Sequence, residues 1–189
     1  MLFLVRHGET AANVAGLLLG RADPPLTELG QRQARAVAAA LPTPSLLVSS
    51  PLQRARDTAA AFGRPFEVDE RWIEMDYGDV DGQPVGSVAD EVWSRWRADP
   101  TFVPAGGESL AAVGERVRNA CADLAGAAYD GDVVVVSHVS PIKAAIAWAL
   151  GVPDLVAWRM YVADAGVARV ATGPPAPLLM SFNEVFPVG

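Results

Sequence analysis

Met1-Leu2-Phe3-Leu4-Val5-Arg6-His7-Gly8-Glu9-Thr10 changes character halfway along. Five apolar residues give way to a cation, an imidazole and a glycine. An apolar run this short, without alternation, reads as a strand buried on both faces. Such a strand delivers Arg6 and His7 at its carboxyl end. The pattern comes back at Val133-Val134-Val135-Val136-Ser137-His138. The chain holds two histidines in 189 residues, and each stands just past one of these strands. The two are expected to meet.

Between and beyond these two stretches, helical and extended segments alternate. Thr27 is an N-cap candidate for an alanine-rich helix over 31–41, ended by Pro42 and Pro44. Leu46–Val48 reads as a strand, 52–62 as a helix with Arg54 in its first turn, and Phe66–Val68 as a third strand. Residues 7–26 and 71–83 have the composition of loops, and 88–97 reads as a short helix. An amphipathic pattern covers 109–127, and a helix starting at Pro141 is closed by Gly151 and Pro153. Segments 156–162 and 167–171, around Asp164-Ala165-Gly166, have the spacing of an antiparallel pair. Leu178–Phe182 reads as an edge strand, a route to a homodimer. The fold class is α/β, a three-layer sandwich whose mostly parallel central sheet has helices on both faces.

Half the residues are apolar (51%) and 20% charged, as in an ordinary globular domain. A formal charge of -7 argues against nucleic acid or an anionic membrane as partner. A single cysteine, Cys121, allows no intrachain disulfide and suggests a reducing compartment. The first apolar run is too short for a signal peptide or a membrane span, which makes the expected location cytoplasmic.

In open α/β sheets the ligand crevice lies beyond the carboxyl ends of the strands. Arg6, His7, Arg54 and His138 all fall there. Two guanidinium forks and two imidazoles suit a tetrahedral oxyanion such as phosphate. The amides at the start of the helix carrying Arg54 would add to that field, unless Arg54 is simply paired with Asp57. A neutral imidazole can attack phosphorus when its other nitrogen is held by an acceptor. The leaving alkoxide then needs an acid. Glu74, with apolar neighbours, is the first candidate, although Asp76, Asp79 and Asp81 crowd the same loop. Trp93 and Trp96 are candidates for touching the organic part of a substrate.

Several blocks taken together resemble a known family. Leu4-Val5-Arg6-His7-Gly8-Glu9-Thr10 with Asn13 is similar to the signature of the histidine phosphatase superfamily, which includes the cofactor-dependent phosphoglycerate mutases. The likeness continues through Gly20, Asp23, Leu26-Thr27 and Gly30, then Ser49-Ser50-Pro51-Leu52 with Arg54, Ala55, Thr58 and Ala59. It goes on through Glu74 with Gly78 and Gly82, Gly106-Gly107-Glu108-Ser109, and Val136-Ser137-His138. It implies a phosphoglycerate mutase-like domain over 1–189, with a lid-like insertion at about 83–105. By the same likeness His7 is the nucleophile that becomes phosphohistidine, while Arg6, Arg54 and His138 hold the phosphoryl group. Asn13, Gly20 and the Val139 amide bind phosphate or substrate, Glu74 is acid and then base, and neither metal nor cofactor is needed.

Many members have two glycines after the second histidine, where this chain has Val139-Ser140-Pro141. That pattern resembles a phosphatase branch related to α-ribazole phosphatases. The stretch between Glu74 and Gly106 is short compared with the mutases, which favours hydrolysis of a small phosphorylated metabolite. The alternatives are a cofactor-dependent phosphoglycerate mutase and a non-catalytic interaction module that retains the fold.

Overall fold

Strands β1 (Leu2–Arg6) and β4 (Val133–Ser137) lie side by side and parallel in the computed structural model, which describes residues 1–189. Leu2 faces Val133 and Arg6 faces Ser137, so the next residues, His7 and His138, leave the sheet at the same level. Strand β2 (Leu46–Ser49) pairs parallel with the other side of β4, and the two-residue β3 (Glu67–Val68) closes that edge. Strand β5 (Val167–Ala171) runs antiparallel to β1, and β6 (Leu178–Glu184) forms the opposite edge against β5. The order is β3-β2-β4-β1-β5-β6.

Every residue of β1 and β4 is buried. Leu2, Leu4, Val133 and Val135 face a layer built from α5 (Leu110–Asp130) and α6 (Val139–Leu150), against Val117, Cys121, Ile142 and Ile146. Phe3, Val5, Val134 and Val136 face α2 (Glu28–Ala40) and α3 (Gln53–Ala60), against Val37, Leu41, Ala55 and Ala59. Each buried side chain of this kind contributes about 1.5–3 kcal/mol. The unbroken apolar runs are therefore what a strand covered on both sides requires.

The remaining helices are short. Ala11–Val14 (α1) lies inside the long loop, where Thr10 and Asn13 form a reciprocal capping box. Asp90–Ala98 (α4) lies in the 83–105 segment and packs through Trp93 and Trp96 onto Trp158. No helix is long and apolar enough to cross a membrane.

The expected strand over 156–162 is not formed. Val156, Trp158, Met160 and Val162 alternate like a strand, yet Asp154–Arg159 is a 3₁₀ helix begun by Pro153. Asp154 accepts from Arg118 at 2.7 Å, and Trp158 packs on the aromatic cluster. An antiparallel hairpin also lacks its place in the sheet. The free edge of β1 is taken by β5, with Arg6 N–H donating to the Gly166 carbonyl and Ala165 N–H to the His7 carbonyl. The partners of β5 are thus β1 and β6. Helix α6 begins at Val139, two residues before Pro141, because His138 occupies the N-cap position.

Candidate active site

The carboxyl ends of β1, β2 and β4 bring His7, Ser50 and His138 together. The two imidazole centroids are 5.1 Å apart. Nδ1 of His7 lies 2.8 Å from the Gly8 carbonyl oxygen. A carbonyl only accepts, so Nδ1 carries the proton and Nε2 keeps its lone pair. The Gly8 amide donates to Thr58 Oγ1 at 3.0 Å. A side chain at residue 8 would meet the Gly30 carbonyl oxygen at 2.3 Å, so only glycine allows the loop this close to α2.

Arg54 is fully buried behind His7. Its Nε–H donates to His7 Nε2 at 3.2 Å, its Nη2 to the Gly20 carbonyl at 2.8 Å, and its Nη1 to the Ala22 carbonyl at 2.7 Å. The Nη1 group also faces Asp23 Oδ1 at 3.3 Å. The same Asp23 carboxylate accepts from the Gln53 and Arg54 amides at 2.6 and 3.4 Å. The start of α3 therefore already holds an anion, and that anion belongs to the chain. Asp57 bonds to Gln53 instead of pairing with Arg54. Gly20 supports Arg54 from behind; its own amide and those of Arg21 and Ala22 donate to Asp81.

Arg6 reaches the Val162 carbonyl at 2.8 Å and Asp164 at 2.9 Å, leaving its buried Nε without a partner. His138 Nε2 lies 2.6 Å from Ser50 Oγ, and its Nδ1 is likewise buried without a partner. The Leu52 amide donates to Ser50 Oγ at 3.4 Å. Ser50 Oγ has no other acceptor within reach, so its hydroxyl is assigned as the donor to Nε2 and the imidazole proton of His138 to Nδ1. Two bare donors, Arg6 Nε and His138 Nδ1, are left beside His7. Leaving a buried donor unmade costs about 1–3 kcal/mol.

Burial first, and then the Arg6 and Arg54 charges, hold His7 well below the ordinary imidazole pKa. Burial, Arg54 and His7 do the same to His138. Both imidazoles are neutral at neutral pH. Burial also lowers the Arg54 pKa, against the pull of Glu74 and Asp23.

A cavity of about 150 Å³ opens onto Arg6 and His7, with Asn13, Glu74, Tyr77 and Val139 also in its walls, while Arg54 and His138 are fully buried and do not line it. Of the four acids between 74 and 81, Glu74 alone lines it. Its Oε1 accepts from the Met75 amide at 2.7 Å and from the Ser140 amide, at the start of α6, at 3.1 Å. Asn13 Oδ1 is committed to the Thr10 amide and hydroxyl at 3.0 and 2.7 Å, leaving its NH₂ for a ligand. Val139 is the first residue of α6, so its amide has no intrahelical acceptor. Trp93 stands on an adjoining apolar pocket, whereas Trp96 is fully buried. No three His, Cys, Asp or Glu side chains are grouped to hold a metal ion.

Ser50, Asp23 and Tyr77, whose hydroxyl meets Ser140 Oγ at 3.1 Å, were not marked as site residues by sequence reasoning. For Ser50 a signal existed, since it too stands just past a strand. The geometry can hold an oxyanion against His7, with a carboxyl group facing it across the cleft.

The chain is similar to known proteins over most of its length. A bifunctional protein of Mycobacterium tuberculosis is 38% identical over 172 residues, covering 85% of this chain and 47% of that protein. The chain thus spans about half the length of that relative. Phosphoserine phosphatase 1 of Hydrogenobacter thermophilus is 38% identical over 192 residues, 96% of this chain and 91% of the relative. The structure of a mycobacterial glucosyl-3-phosphoglycerate phosphatase complexed with VO3 superposes with a TM-score of 0.86 at 34% identity, covering 96% of this chain and 98% of that one. The family model of the histidine phosphatase superfamily (branch 1) matches residues 2–185, and the chain belongs to that superfamily.

Proposed function

We propose that this chain hydrolyses phosphate monoesters of small molecules through a phosphohistidine at His7. One observation carries it: His7 is buried, neutral and held by Nδ1, with Nε2 facing the Arg54 Nε–H and the His138 ring centroid 5.1 Å from its own. A phosphoryl group entering the cleft would take the bare donors Arg6 Nε and His138 Nδ1, and the Arg54 Nε–H as its bond to His7 is given up. These donors stabilise charge on the equatorial oxygens.

The His7 Nε2 pair forms the N–P bond while the P–O bond to the alcohol breaks. Glu74 supplies the proton to the departing oxygen. A water then attacks phosphorus, Glu74 takes its proton, the P–N bond breaks, and inorganic phosphate leaves with His7 neutral again. Val139 and Tyr77 wall the cleft near Glu74, and residues 83–105 act as a lid through Trp93. The relatives named for phosphoserine and glucosyl-3-phosphoglycerate support a small phosphorylated substrate here.

The test is phosphate release from p-nitrophenyl phosphate and phosphoserine by the purified chain, wild type against His7→Ala. Turnover by the wild type and its loss in the variant are expected. Equal turnover by both would overturn the proposal. Net isomerisation of a phosphoglycerate without phosphate release would replace it with the mutase reading.

A further inference from the structure

Beside the His7 cleft lies a second cavity of about 180 Å³ that shares Leu18, Tyr77 and Val139 with it. Its other walls include Met75, Trp93 and Trp158. A cavity near 150 Å³ lined by apolar groups accommodates a benzene-sized body, so this one has room for an aromatic ring. A polyhydroxylated alcohol would leave hydroxyls without partners against these walls. The Ser140 hydroxyl already meets Tyr77 at 3.1 Å.

One charge lines the pocket. Lys143 stands one helical turn after Val139, on the same face of α6. It is half-buried and makes no ion pair with any carboxylate. Burial draws its pKa down, partly opposed by Glu74. Without a carboxylate partner, its ammonium stays open to an anion entering the pocket.

We propose, on the basis of the phosphatase reading, that the preferred substrate is the phosphate ester of an apolar, aromatic-sized alcohol bearing a carboxylate. The apolar body fills the Trp93–Trp158 pocket and the carboxylate pairs with Lys143 Nζ. Lys143 then sets specificity without touching the transferred phosphoryl group.

The experiment compares kcat/KM of the full chain for phenyl phosphate, 3- and 4-carboxyphenyl phosphate, phosphoserine and glucose 6-phosphate. At least one carboxyphenyl ester should exceed phenyl phosphate and phosphoserine by about 10-fold or more. The ratio of carboxyphenyl to phenyl phosphate should fall about 10-fold in Lys143→Met, and Lys143→Arg should restore most of it. Preference for phosphoserine or glucose 6-phosphate, or a ratio unmoved by Lys143→Met, would overturn the proposal. No turnover of any ester would defeat the phosphatase reading instead. The pocket is then read by calorimetric binding of 4-carboxyphenyl phosphate to wild type and Lys143→Met, where equal affinity overturns the Lys143 assignment.

Discussion

The ends of β1 and β4 look alike in sequence and differ in what they present. His7 and His138 follow paired residues of two parallel strands, both are buried, and both are held below the usual imidazole pKa. Yet His7 is pinned through Nδ1 by a carbonyl, whereas His138 is pinned through Nε2 by a hydroxyl. The first keeps its Nε2 lone pair, which accepts from Arg54 and which the proposed mechanism spends on phosphorus, and the second keeps an unpartnered Nδ1, the donor that mechanism offers to an oxyanion. The local partner, rather than the residue type or its place on the strand, divides the labour between them.

The largest effects are expected from replacing the two histidines. His7→Ala should lower kcat by about 10⁴-fold or more, since His7 forms the covalent bond in the proposed mechanism. His138→Gln keeps a donor of similar reach and should cost about 10²-fold, chiefly in kcat. Stopped-flow and steady-state assays on p-nitrophenyl phosphate measure both. Equal losses would mean that the two imidazoles act as one unit.

Glu74→Gln removes a carboxylate that is held by the first turn of α6. It should cost about 10²–10⁴-fold on an alkyl phosphate. The loss in forming phosphohistidine should be smaller with p-nitrophenyl phosphate, whose leaving group needs no proton. A loss independent of the leaving group in that step would remove Glu74 as the acid.

Ser50→Ala frees His138 Nε2. About a 10-fold loss of kcat is expected, with about 1–2 kcal/mol lower stability by urea titration. His7 remains pinned, so the variant should still form the phosphoenzyme.

The smallest effect is on stability against pH. Both histidines bind protons less readily folded than unfolded, so the unfolded chain takes up more protons as pH falls below about 6.5. Stability is full above that value. It declines toward the folded pKa at up to about 1.4 kcal/mol per pH unit per histidine. Urea midpoints at pH 7 and pH 5.5 should therefore differ more for the wild type than for His138→Gln. An equal difference would show that His138 does not resist protonation.

Much of this was legible because two buried parallel strands leave an unmistakable apolar run, and the polar residues that interrupt it stand at the ligand-binding end of the sheet. Arg6, His7 and His138 followed from that rule. Glu74 was named among several acids, and only folding showed that Asp81 serves the loop of Gly20 while Glu74 faces the cleft. Ser50 and Asp23 stand in the family-like blocks without a role: the place of Ser50 past a strand was a signal, but their partners are 88 and 31 residues away, and no local period records such pairings. The misread strand at 156–162 has a different cause. Alternating apolar residues there pack as a 3₁₀ turn on tryptophans of another segment, which periodicity cannot separate from a strand.

The most direct test of the central claim is to quench the enzyme in base within milliseconds of mixing with a ³²P-labelled substrate and to map the labelled peptide. Base-stable, acid-labile label on the peptide containing His7, absent in His7→Ala, is the predicted result. Label on the peptide containing His138, or single-turnover hydrolysis with no labelled protein at any time, would contradict it.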